Sequence, residues 1–160
     1  MSVQDPGRAD PALSRVAERR FPPIELLLVG FGGAAGSLAR YAAGLIVPGT
    51  IGTLVVNVFG AFLLGVLVEA VLRLTMIAPE APVRVTRLRR WRLLLGTGVL
   101  GGFTTYSLLA ADIAESLIAG RILEGIGYGV ATIVGGGVAS MLGIAVARGI
   151  VRRGESRVTE

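Results

Sequence analysis

Few residues of this 160-residue chain could do chemistry, and they lie where polar groups are costly. Thr53 and Asn57 fall one helical turn apart inside a long apolar run, and Thr132 lies inside another. An amide or hydroxyl left unpaired in hydrocarbon costs roughly 4–8 kcal/mol, so such side chains are covered by protein or line a wet path. For Thr53 and Thr132 two readings stand open: a hydroxyl bonded back to its own helix, or one turned toward a path. Asn57 is less easily satisfied locally, because its amide carries two donor hydrogens as well as an acceptor oxygen.

A second candidate is the run Gly96-Thr-Gly-Val-Leu-Gly-Gly-Phe-Thr-Thr-Tyr-Ser107. Each glycine weakens a helix by about 1 kcal/mol relative to alanine, so Gly101 and Gly102 followed by Thr104 and Thr105 predict a break. Unwound carbonyls at membrane depth can cage a small hard cation such as sodium. A kinked, glycine-rich packing helix is the competing reading.

What is missing narrows the chemistry further. There is no cysteine and no histidine, which removes thiolate chemistry, imidazole bases and the usual zinc and haem ligands. No nucleophile stands beside a base, so an enzyme is not expected. The net charge of +5 rests on arginines alone, nearly all in polar segments flanking apolar runs, a membrane pattern rather than a nucleic-acid-binding face.

The elements that must position these residues are membrane helices. With 52% hydrophobic residues, 24 glycines and a mean hydropathy of +0.71, the chain is too apolar for a soluble domain. The expected fold is an all-α membrane protein of four transmembrane helices, 26–46, 50–72, 93–111 and 122–146, within a channel-sized domain 24–148. The third helix is expected to be broken near its middle. Residues 1–23 read as a disordered tail lacking the apolar core of a signal peptide. Pro48 and Gly49 predict a tight antiparallel hairpin, 73–92 reads as a basic loop, and 149–160 as a second tail.

An even number of spans puts both tails and the basic loop on one side. Arg8, Arg15, Arg19, Arg20, Arg73, Arg84, Arg87, Arg89, Arg90, Arg92, Arg148, Arg152, Arg153 and Arg157 share that side, against Arg121 alone on the other. This bias predicts cytoplasmic N- and C-termini in a cell membrane, with one orientation. Gly32 and Gly36, Ala61 and Gly65, Gly125 and Gly129, and Gly136 and Ser140 recur at four-residue spacing, which reads chiefly as close helix packing.

Three runs, Gly32-Gly-Ala-Ala-Gly-Ser-Leu-Ala-Arg-Tyr41, Gly52-Thr-Leu-Val-Val-Asn-Val-Phe-Gly-Ala-Phe-Leu-Leu-Gly65 and Gly101-Gly-Phe-Thr-Thr-Tyr-Ser107, stand in the order and spacing of one family. Together with Tyr128, Thr132 and Gly136, they make the chain resemble the Fluc (CrcB) fluoride channels. That resemblance implies an antiparallel dimer with two fluoride paths and one structural, untransported sodium ion. It assigns the sodium to the backbone carbonyls of Gly101 and Thr104. The fluoride path it implies runs past Asn57, Thr53, Tyr106, Leu109 and Thr132, with Arg40 as the family arginine near the end of the first span. The physics agrees, since a strongly hydrated anion needs donors in place of its water shell, and Asn and Thr supply them.

The chain departs from the family pattern Thr-Thr-Phe-Ser-Thr-Phe. Tyr106 and Leu109 stand at the two phenylalanine positions, and Leu108 replaces the threonine between them. Together with the arginine bias, this favours a heterodimer with an inverted homologous subunit over a homodimer. A four-helix proton-coupled multidrug exporter is the alternative from another class; it needs a membrane-embedded carboxylate, whereas Glu25 and Glu69 read as span ends and Asp112, Glu115 and Glu124 as the third connection. A non-conducting accessory subunit is a third reading.

Overall fold

The computed structural model describes residues 22–77 and 82–156. Helix α1 is Pro23–Ile46, α2 is Gly49–Ile77 and α3 is Pro82–Trp91. A π-helical stretch, Arg92–Leu100, follows without interruption and leads into α4, Gly101–Phe103. After a break come α5, Tyr106–Ile118, and α6, Ile122–Ser156. Four segments are long and apolar enough to cross a membrane: Pro23–Ile46, Gly49–Met76, the composite Val83–Ile118, and Ile122–Ile150. At about 1.5 Å per residue even the 24-residue α1 is longer than the ~30 Å hydrocarbon core. The chain is therefore a multi-pass membrane protein.

Proline at the first helical position starts α1, where its missing N–H would have had no partner. Two glycines make the reversals between spans. Gly49 adopts φ +74° after Pro48, and Gly120 adopts φ +74° at the end of α5. At the second turn the Arg121 N–H donates to the Ser116 carbonyl at 2.9 Å and the Gly120 N–H to Leu117 at 3.0 Å. That pair of bonds is a Schellman cap, whose left-handed residue only glycine adopts without strain.

Packing divides the bundle into two pairs. Helix α1 lies chiefly against the π-helical stretch and α4, while α2 lies chiefly against α6. The expected small-residue pairs are the contact points. A side chain on Gly36 would run into the backbone of Val99, and one on Gly32 would meet Leu94 and Gly98. Gly65 touches the backbone of Ser140, and Gly143 that of Phe62. Gly129 faces Ile113 and Gly136 faces the methyl of Ala61. Between these seams little is enclosed: Val56, Leu100, Leu109, Ala139 and Ala147 are the buried apolar residues among those described, while Phe31, Ile46 and Leu123 point outward. Lipid does not expel apolar side chains as water does, so this outward display is the expected solution.

Three expectations need correction. The Pro48–Gly49 turn is tight, yet α1 and α2 touch little, because each finds its glycine-lined partner elsewhere. The basic segment 73–92 is not a loop: α2 runs on to Ile77, and Pro82–Trp91 is helical, since arginine and leucine are good helix formers. Residues 78–81 lie outside the described set, as do tail residues 1–21 and 157–160. The third span continues to Ile118 and the fourth helix to Ser156, each beyond its apolar stretch. The expected break is present, and within the run that predicted it the helix opens at the threonines rather than the glycines. Gly101 is itself helical, with φ −63° and ψ −37°, and the chain opens at Thr104 and Thr105.

Candidate functional site

The break is two residues of extended backbone held from both sides. Thr104 has φ −73° and ψ 159°, and Thr105 has φ −147° and ψ 119°. The preceding helix ends when the Thr104 N–H and hydroxyl both donate to the Leu100 carbonyl, each at 2.9 Å. The Thr105 N–H then turns away to the Asn57 Oδ1 at 2.7 Å, and the Asn57 Nδ2 donates to the Thr105 carbonyl at 2.9 Å. Asn57 thus supplies one acceptor and one donor, like a peptide group of a neighbouring strand. That is how extended backbone is tolerated at membrane depth. The Thr105 hydroxyl caps α5 by accepting from the Leu108 N–H at 3.2 Å and lies 3.2 Å from the Ser107 hydroxyl.

From the other side comes Arg40. Its Nη1 donates to the Thr104 carbonyl at 2.9 Å. The carbonyls at the break are thereby taken by side chains from α1 and α2, and the amide that would have bonded Gly101 in a continuous helix has gone to Asn57.

Above the break opens a pocket of about 210 Å³, reaching the α1–α2 turn at Val47 and Gly49 and lined also by Arg40, Thr53, Thr105, Leu108 and Asp112. Asp112 in its lining accepts a hydrogen bond from the Tyr128 hydroxyl, at its Oδ2 and 3.2 Å. Thr53 and Thr132 are both buried.

The structure brings together most residues expected to carry the chemistry. Asn57 and Arg40 grip the break, and Thr53 lines the pocket next to it. Thr132 donates to its own helix, at the Tyr128 carbonyl at 2.9 Å, so the local reading of its hydroxyl holds for that bond. Tyr106 and Leu109 are separated: Tyr106 is 82% exposed on the outside of the single chain, whereas Leu109 is buried inside it. Sequence reasoning missed the part played by Asp112, which the third helix's extension to Ile118 carries into the pocket. Its signal was the spacing of one helical face from Thr105 to Asp112, seven residues, or two turns. Thr105 was visible as part of the break but not as its clamped residue.

Among the described residues no group of three or more His, Cys, Asp or Glu side chains can hold a metal ion. A cation here would need carbonyls. Gly101 suits that role, being exposed and without its helical amide donor. Thr104 suits it less well, since its carbonyl already accepts from a guanidinium, leaving one lone pair beside a positive charge.

Four membrane-spanning helices, a broken third helix clamped by an asparagine, and a donor-lined pocket define a class of small helical membrane protein. The family described as CrcB-like protein, camphor resistance (CrcB), matches residues 27–144, and the chain belongs to it. It is 43% identical over 136 residues to fluoride-specific ion channel FluC 2 of Leifsonia xyli subsp. xyli, a match spanning 82% of this chain and 89% of that one. It is 38% identical over 132 residues to the fluoride-specific ion channel FluC of Rhizobium meliloti, spanning 79% and 98%. With FluC 1 of Haloarcula marismortui it shares 39% over 127 residues, spanning 79% and 85%.

Proposed function

We propose that this chain is a subunit of a fluoride-specific ion channel that lowers cytoplasmic fluoride by passive efflux. The observation that carries the proposal is the use of Asn57. One of its two amide hydrogens is bonded to Thr105, which leaves the second to serve an anion beside the break. Arg40, with five donors and one bonded to Thr104, adds fixed positive charge to the pocket beside the break. The N-terminus of α5, capped by the Thr105 hydroxyl, points its positive dipole end at the break as well. Family membership argues against both an enzyme and the four-helix multidrug exporters.

A small anion entering from the α1–α2 turn would pass Thr53 and then exchange water for the donors of Arg40 and Asn57 at the break. Asp112 is directed to Tyr128, whose hydroxyl occupies part of its negative charge. The working assembly in this reading is an antiparallel dimer, in which an inverted chain covers the exposed Tyr106 and Gly101. A structural sodium ion would lie on the Gly101 carbonyl, with Thr104 as a weaker ligand, and would supply fixed positive charge. The arginine bias supports cytoplasmic termini and, with Leu109 in place of an aromatic residue, a heterodimer.

Fluoride release from sodium-loaded liposomes tests the whole reading. The chain is reconstituted alone and together with a homologue of opposite arginine bias, and fluoride and chloride are measured side by side. Fluoride release confined to the mixed vesicles supports the heterodimer; release from the chain alone supports a channel but removes the heterodimer. No fluoride release in either case leaves the accessory-subunit reading in its place.

A further inference from the structure

The basic helix α3 carries two kinds of arginine. Arg89 is committed: its Nη2 donates to the Glu25 Oε2 at 2.8 Å, and Glu25 is only 6% exposed. This pair pins the first turn of α1 to α3 and neutralises the carboxylate nearest the seam. Arg87 and Arg90 form no ion pair with any described residue, and both are exposed.

Arg87, Arg90, Trp91 and Leu94 follow the i, i+3, i+4, i+7 spacing of one helical stripe. Opposite them, one turn apart on α1, stand Ile24 and Leu28. These six residues line an open groove of about 320 Å³. Its polarity is graded along the membrane normal: two guanidinium groups at the outer end, an indole next, and aliphatic side chains toward the apolar part of the span. From Arg87 to Leu94 the rise is about 10 Å. A phospholipid presents the same order, with a phosphate followed by an apolar chain.

We propose that this groove binds an anionic phospholipid, its phosphate held by Arg87 and Arg90 and its acyl chain lying along Ile24, Leu28, Trp91 and Leu94. Arginine forks pair with phosphate oxygens two at a time, and basic pockets at the edges of transmembrane helices select anionic headgroups. Two unpaired positive charges distinguish such a lipid from a zwitterionic one, which brings its own cation. The apolar half of the groove distinguishes it from a free anion. Tryptophan at this level is the usual interfacial anchor.

Trp91 is the only tryptophan in the chain, so it reports directly on the groove. The full chain is reconstituted in bilayers mixing phosphatidylcholine with phosphatidylglycerol, with bromine on the acyl chains of one lipid at a time, and Trp91 fluorescence is followed. Brominated phosphatidylglycerol is expected to compete for the groove about tenfold better than brominated phosphatidylcholine. The double variant Arg87→Gln/Arg90→Gln is expected to bring that ratio close to one, while Arg121→Gln at the opposite end leaves it unchanged. Equal competition by the two lipids in the unaltered protein overturns the proposal, and so does a preference that survives the double variant. Absence of quenching by either lipid would show that protein covers the groove, and loss of preference on adding inorganic phosphate would show a site for free anions; each overturns it too. If the glutamine variants fail to reconstitute, the ratio in the unaltered protein decides.

Discussion

The two ends of the bundle bury polar groups in opposite ways. At the end holding the start of α1, Glu25 is paired with Arg89, and the Glu69 Oε1 accepts from both Arg73 at 2.7 Å and Arg148 at 2.9 Å. Charge meets charge, and α1 is tied to α3 and α2 to α6. Toward the other end, Asn57 and Arg40 bond backbone rather than carboxylates, and Asp112 has Tyr128 as its partner. The first arrangement locks helices together and leaves little donor capacity inward. The second holds an open stretch of backbone and keeps spare N–H groups beside a pocket. Locking and, on the proposed reading, anion binding thus fall to different ends.

The largest effect that could sharpen this contrast is expected from Asn57→Ala. It strips the Thr105 N–H and carbonyl of their partners, and each unsatisfied group costs roughly 1–3 kcal/mol. Thermal unfolding in detergent should register a loss of roughly 2–5 kcal/mol, and fluoride release should fall to background. Near-normal release would show that the break needs no clamp. Arg40→Gln comes next: losing a charged donor on Thr104 should cost roughly 1.5–3 kcal/mol and slow fluoride entry, most visibly at low fluoride and low salt. An unchanged concentration dependence would remove Arg40 from the entry route.

At the locking end, Glu69→Gln is expected to lower the melting temperature while leaving flux per folded channel and fluoride-over-chloride selectivity unchanged. A change in selectivity would break the division between the two ends. The smallest change is expected for Thr132→Val, where the lost hydroxyl bond is worth about 0.5–1.5 kcal/mol and flux falls by less than about tenfold. Melting temperature and release, measured on the same preparation, separate these cases.

Much of the site was legible before the structure. Asn57 stood out because an amide in an apolar run has no cheap local partner, and the structure gives it a partner 48 residues away. The glycine pairs at four-residue spacing announced close packing, and Gly32, Gly36 and Gly65 each meet another helix's backbone. The break was legible as the run Gly101 to Thr105, but not which of its residues opens, because glycine lowers helix stability without deciding where a helix opens. That position is decided where Asn57 captures the Thr105 amide. The basic segment misled because arginine density was read as a loop, although arginine is a good helix former and Glu25 gives α3 a tertiary anchor.

By itself the sequence determined the membrane environment, the four spans and the identities of Asn57, Arg40, Thr53 and Thr132 as costly polar residues. These follow from local composition and helical period, which act over a few turns of chain. Only the tertiary structure decided that α1 leaves α2 for the third span, that Arg40 and Asn57 converge on adjacent carbonyls, and that Asp112 reaches Tyr128. Those outcomes depend on which glycine-lined faces fit backbone to backbone, a match between segments far apart in the chain that no local pattern contains.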